Sequence, residues 1–250
     1  SSSASADGGT ILAIDGGGVG RFIRQHDAGV VRAPWFGAMN TASAFVATMG
    51  LAITAAGIGG KVIVPRGLYS QNGTITLLAQ QVLEFEHVPS NDDFATTAAS
   101  KVSRASTGTM YNASASGCRI IGLNFDGVGG TYASGVVVLI SGGEQQAMRD
   151  CNIDDNVDAC LSFVGADSGQ RFIAENCGFR RTTVTNPAVL LPTVADTAGN
   201  RQFINCNSFG GVLLRFNNSF NTHVIGGRFR NLDFSGSAGV SLRAIVDNCR

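Results

Sequence analysis

CRIIGLNF (118–125), AMRDCNI (147–153), RFIAENCGF (171–179), RQFINCNSF (201–209) and THVIGGRF (222–229) are variants of one unit. Each has an apolar pair, small or polar residues, then a closing apolar residue, and LRAIVDNC (242–249) reads as a sixth copy. The closing residues Phe125, Ile153, Phe179, Phe209 and Phe229 are 28, 26, 30 and 20 positions apart, a mean of 26. That is a solenoid period. Most units carry a second apolar run after a polar turn: SGVVVLIS, DACLSFVG, PAVLLPTV, GGVLLRF and GVSLRAIV. These runs are too short for helices and rich in branched residues, so each turn holds two or more strands. One coil alone cannot bury its inner face, whereas stacked coils pair every backbone row with the rows above and below. The spacing therefore predicts an all-β chain wound as a parallel β-helix. About five to seven coils at about 4.8 Å each give a rod of about 25 to 35 Å.

Leu123, Cys151 and Cys177 each lie two positions before a closing apolar residue, which stacks them inside the rod. Two positions break the pattern: Cys206 is three before Phe209, and Glu175 shares the parity of inward Cys177. A bend, a bulge or a functional exception is expected there. The six cysteines (Cys118, Cys151, Cys160, Cys177, Cys206 and Cys249) form no CxxC pair and have no histidine near enough for a zinc pattern. They are expected as buried free thiols, with no metal and no cofactor.

Upstream, GGKVIVPRGLYSQNGTITLLAQQVLEFE (59–86) supplies KVIV, a PRG turn, then TITLLA and QVLEFE, a first coil. From Ala33 to Gly60 no residue is charged, but Ser, Thr, Asn and Gly dilute the stretch, and Phe45, Val46, Met49 and Ile53 fall at helical spacing. This predicts a helix near 41–56 that covers the open end of the coils, not a membrane span. Residues 87–116 form a polar excursion without a period, expected as a loop or small protrusion. The resulting division is a β-rich connector over 1–38 and a β-helix over 39–250. The chain opens SSSASADGG without a secretory pattern and stops in a strand-like run, SLRAIVDNCR, so a longer native chain is expected.

Only 14 % of residues are charged, and Lys plus Arg (18) equals Asp plus Glu (18). No overall field draws the chain to nucleic acid or to an anionic membrane. The 33 glycines and the many Ser, Thr and Asn residues match short strands joined by turns. All but two of the basic residues, Lys61 and Lys101, are arginine, whose planar fork suits carboxylates.

Three pieces in order, DGGTILAIDGGGVGRFIRQHDAGVVRAPWFGA (7–38), a helix, and GGKVIVPRGLYSQNGTITL (59–77), followed by the coils, resemble the pectate-lyase-like right-handed β-helix proteins of bacteriophage tailspikes and tail fibres. Trp35, Phe36, Gly37 and Ala38 form the WFGA-type junction, and Pro65 and Gly67 the first-coil turn. The chain departs from the family where an acidic GD and TDD stretch often follows that junction: AMNTASA stands there. The resemblance implies a homotrimer on a virion tail, outside the cell, among other tail or baseplate proteins, recognising or cutting bacterial surface polysaccharide.

Cleavage would need two carboxylates about 5 to 9.5 Å apart, or a base with a cation that stabilises a uronate anion. The densest acidic run is Asp150, Asp154, Asp155 and Asp158, followed one coil later by Glu175, Arg180 and Arg181. Asp155, Asp158 and Glu175 are the candidate catalytic residues, and Arg180, Arg181, Arg228 and Arg230 the candidate polysaccharide-binding ones. The competing reading makes NIDDNVD a solvated turn whose aspartates cap backbone donors. His26, His87 and His223 fall in distant segments with no nucleophile placed by motif, and GGGVG (16–20) lacks a βαβ context and reads as a hairpin turn. Tyr69, Tyr111 and Tyr132 are of a type that stacks on sugars but share no phase. Three functions stay open: a polysaccharide-recognising adhesin, a depolymerase of lyase or hydrolase type, and a non-catalytic tail component.

Overall fold

The computed structural model describes residues 11–13, 21–23, 27, 29–86, 100–127, 134–154, 158–165, 168–180, 188–191, 200–209, 214–215, 222–228, 232–233 and 244–247. Among these, the parallel strands fall into three sheets of nine, six and seven strands. The chain visits the three in fixed rotation: Lys61–Val64 joins the nine-stranded sheet, Leu68–Gln71 the six-stranded and Ile75–Thr76 the seven-stranded, before Val82–Phe85 returns to the first. This is a parallel β-helix with three strands per coil. Nine strands at about 4.8 Å make a rod of about 38 Å, slightly longer than the repeat count implies. The nine-stranded sheet begins at Val30–Arg32, inside the segment 1–38, and ends at Ala244–Asp247 of the sixth repeat copy.

Alternation turns alternate residues of these short strands inside. In the nine-stranded sheet Val31, Val62, Leu83, Ile120, Met148, Ala174, Phe203 and Val224 pair in that order and are all buried. In the six-stranded sheet Val102, Phe125, Ile153 and Phe179 do the same. Phe163, Phe172 and Phe203 pack ring to ring, with centroids 5.0 and 6.0 Å apart. Two arginines are interior ties: Arg104 donates to the carbonyl of Gly108 at 2.8 Å and Arg201 to that of Ser168, each over a phenyl ring.

Leu123, Cys151 and Cys177 stack inside as expected, since the N–H groups of Asn152 and Gly178, each one residue after a stacked cysteine, donate to the carbonyls of Leu123 and Cys151 one coil below. Cys206 does not slip. Phe179 pairs with Ser208 and Arg180 with Phe209, which puts Cys206 above Cys177 and makes buried Ser208, two positions on, the residue beside Phe179. The five described cysteines are free and buried; Cys249 lies outside the described residues. Burial pushes the thiols of Cys151 and Cys177 well above their ordinary range, with contributions from the stacked neighbours, and raises Cys118 to about 11.

The parity conflict at Glu175 is resolved by a left-handed corner. Gly122, Asp150, Asn176, Asn205 and Gly226, between the nine- and six-stranded sheets, all have φ between 51° and 71°. The N–H groups of Gly122, Asp150, Asn176 and Asn205 each bond to a carbonyl one coil on. Asparagine, aspartate and glycine are the residues that enter this region most readily. The corner spends one residue without an alternation step, so Glu175 points out while Cys177 points in.

The helix α1 (Ala42–Ala56) closes the first coil. Its start is set by Thr41, whose side chain accepts from the Ala44 N–H at 3.2 Å, the role an acidic stretch would otherwise fill. Phe45, Thr48, Met49, Ala52, Ile53 and Ala56 are buried against the strands. Buried Gln81 locks the other end, donating to the carbonyls of Ile53 and Gly57 at 2.7 Å each and accepting from the Leu78 N–H at 2.8 Å. No helix among the described residues is long and apolar enough to cross a membrane.

Two expectations are corrected. The segment 87–116 is not wholly an excursion: Lys101–Arg104 and Tyr111–Asn112 are regular rungs whose few inward residues are too sparse to show a period. Residues 87–99, with His87, lie outside the described set. Tyr111 is no sugar platform, being fully buried between Phe85 and Phe125, and Tyr69 stacks on Phe45 at 5.2 Å. Tyr132 and His26 are outside the described residues, as is the GGGVG turn, although the flanking Ile11–Ala13 and Arg21–Ile23 pair antiparallel.

Candidate functional site

The outer wall of the nine-stranded sheet follows from the same alternation. With Ile120, Met148 and Ala174 inside, Arg119 and Ile121, Ala147 and Arg149, and Ile173 and Glu175 face out. The register sets Arg119 beside Ala147 beside Ile173, and Ile121 beside Arg149 beside Glu175. Ala147 is thus the one short side chain between two long ones, and a depression forms over it. Arg171 and Gln145 reach this hollow from a second left-handed corner, at φ 58° and 63°. The result is a groove of about 430 Å³, its apolar part including Ile121, Ala147 and Ile173 and its charged part Arg119, Arg149, Arg171 and Glu175.

Charge separates this groove from the lower rungs of the same wall. There Arg32 holds both oxygens of Glu86 at 2.6 and 2.7 Å, and Lys61 meets Glu84 at 2.6 Å. In the groove Arg149 Nε is 3.3 Å from Asp150 Oδ2, while Arg119 and Arg171 have no carboxylate within ion-pair distance among the described residues. With Arg149 paired to Asp150, two guanidinium groups, those of Arg119 and Arg171, share the groove with the Glu175 carboxylate. A guanidinium fork binds a carboxylate through two parallel hydrogen bonds.

The candidate residues from sequence are spread over three walls. Glu175 stands in the groove. Asp158 opens a strand of the seven-stranded sheet, where its Oδ2 accepts from the Gly135 N–H at 2.9 Å. Arg180 is on the six-stranded sheet with its Nε 3.5 Å from Asp154 Oδ2, next to a second pair, Lys101 with Asp126 at 2.6 Å. Arg228 is exposed, its backbone N–H on the Asn207 side chain at 3.0 Å. Asp155, Arg181 and Arg230 lie outside the described residues. Sequence reasoning missed Arg119, Arg149 and Arg171. Each sits inside a repeat unit already quoted, but at different unit positions, so only the register brings them together. Among the described residues no cluster of His, Cys, Asp and Glu has the arrangement of a metal site.

No protein-family model matches the sequence, and no curated protein matches it. Solved structures do. The tailspike protein gp49 of Acinetobacter baumannii bacteriophage Fri1, described as a capsular polysaccharide depolymerase, superposes over 98 % of this chain with a TM-score of 0.56 at 14 % identity. The chain shares the parallel β-helix fold of that tailspike protein. It spans 54 % of that protein's length. ORF18 of Geobacillus virus E2 (TM-score 0.47, 12 % identity, 88 % of this chain and 59 % of that one) and the Dettilon tailspike gp208 (TM-score 0.43, 12 % identity, 88 % and 46 %) are more distant matches.

Proposed function

We propose that the chain is part of a phage tail protein that recognises bacterial surface polysaccharide during host attachment, with the groove over Ala147 as its binding site. The observation that supports this reading is that two groove arginines, Arg119 and Arg171, have no carboxylate within ion-pair distance among the described residues, whereas Arg32 and Lys61 on the lower rungs of the same wall are paired. Acidic glycans fit it best. Assembly as a homotrimer within an extracellular virion tail, among other tail or baseplate proteins, belongs to the same proposal, because trimerisation would multiply weak single-site contacts.

A second reading is cleavage in the same groove, favoured by the position of Glu175. A carboxylate set among guanidinium groups is the base-and-cation pair that elimination from a uronate requires. Hydrolysis is less well served, since it needs a second carboxylate about 5 to 9.5 Å away and, among the described residues, Glu175 is the only carboxylate in the lining.

The experiment is incubation of the folded protein with purified capsular and lipopolysaccharide glycans, following capture, new reducing ends and the ultraviolet absorbance of unsaturated uronate. Capture without product is the expected result, and Arg119→Ala with Arg171→Ala should weaken it. Unsaturated product establishes the second reading. Absence of both capture and product across acidic glycans overturns the proposal and leaves a structural tail component.

A further inference from the structure

We infer that the groove selects one class of sugar, a hexuronic acid that also carries an N-acyl group, such as an acetamido uronic acid. This rests on the proposed polysaccharide-binding reading and specifies the ligand of that site.

The lining residues carry two separate demands. Arg119 and Arg171, uncompensated among the described residues, call for a carboxylate. The hollow over Ala147, flanked by Ile121 and Ile173, calls for an apolar group. Among the described residues no aromatic ring lines the groove, so the flat C–H face of a pyranose finds no ring to stack on there. A hollow made by one alanine between longer side chains suits a compact alkyl group, and the methyl of an acetamido group is that size. Such a group also carries an amide. Gln145, exposed at the groove's edge, presents a side-chain amide able to donate to its carbonyl and accept from its N–H. A plain uronate would fill the arginine side and leave the hollow wet. A neutral N-acetylhexosamine would fill the hollow and leave the guanidinium groups without an anion.

The test uses three methyl glycosides that differ by one group each: glucuronic acid, 2-acetamido-2-deoxyglucuronic acid and N-acetylglucosamine. Binding to the folded chain is followed by NMR titration. The acetamido uronate is expected to bind at least about fourfold more tightly than glucuronate, the gain for burying one methyl-sized group. It should also bind up to about fivefold more tightly than N-acetylglucosamine, the worth of one exposed charge pair. Ala147→Ile fills the hollow from a half-exposed position and should erase the preference for the acetamido group. It should leave the preference for the carboxylate and the unfolding temperature in place. Arg119→Ala should do the reverse. Equal affinity for the acetamido uronate and glucuronate, or an acetamido preference that survives Ala147→Ile, overturns the inference while acidic-glycan recognition stands. Should none of the three bind and Arg119→Ala leave polysaccharide capture unchanged, the broader reading fails with it. An Ala147→Ile variant that alters oligomeric state without altering sugar binding would make the groove a contact between copies, which also overturns the inference.

Discussion

Replacement of Asn176 tests the corner that separates outward Glu175 from inward Cys177. Asn176 sits at φ 53°, and its side-chain amide donates to Asp150 Oδ1 at 3.2 Å, one coil below. Asn176→Ala loses that hydrogen bond, worth about 1 kcal/mol, and puts a Cβ-bearing residue without local polar compensation into the left-handed region, about 1 kcal/mol more. The total of about 2 kcal/mol lowers the melting temperature of a chain this size by about 4–8 °C. Asn176→Gly loses the same hydrogen bond and gains unfolded-state entropy worth about 0.5 kcal/mol, but adopts the corner without strain, so its net cost is about 1.5 kcal/mol. The two variants are to be compared by thermal unfolding followed by circular dichroism, with glycine expected to melt about 1–2 °C above alanine. An alanine variant as stable as the glycine variant or more so would refute the left-handed corner and with it the assignment of Glu175 to the outer wall.

Phe179→Ala empties part of a fully buried column and should cost about 3–5 kcal/mol in urea unfolding; a loss below 1 kcal/mol would mean the column is not packed there. Gln81→Leu removes the donor shared by the Ile53 and Gly57 carbonyls and should cost about 2–3 kcal/mol, with faster hydrogen exchange in α1 than in the later coils. Stability should fall as pH rises from 9 towards about 11. The Cys118 thiol has its pKa raised by burial from 9.0 to about 11, so the folded state holds a proton that the unfolded state releases above pH 9. The contribution is whole below pH 9 and lost on the way to 11; the stacked thiols of Cys151 and Cys177 act in the same direction. Urea midpoints for Cys118→Ala should therefore drop less steeply between pH 8 and 10.5 than those of the parent.

The repeat was legible because inward residues must be apolar in every coil. CRIIGLNF and AMRDCNI announce their strands through Ile120 and Met148, and α1 through the spacing of Phe45, Met49 and Ile53. Weak rungs were not legible. Lys101–Arg104 shows one inward valine, and two strands of the seven-stranded sheet, Ile75–Thr76 and Tyr111–Asn112, are two residues long, below any period that alternation can display. The corners were hidden for another reason. Asp150, Asn176 and Asn205 look like ordinary polar residues until their backbone angles are known, and a single left-handed step reverses the parity of everything after it.

The order of apolar and polar residues along the chain was enough to dictate coils, because burial of one side of each strand is a local demand repeated every 26 or so positions. Which outward residues meet was not a local matter. Arg119, Ala147, Arg171 and Glu175 are spread over 56 positions, and they form one groove only because hydrogen bonds between coils lock Arg119 to Ala147 and Ala147 to Ile173. Outward residues carry no requirement to be apolar and so leave no periodic trace. The groove therefore took shape only when inter-coil pairing chose its register.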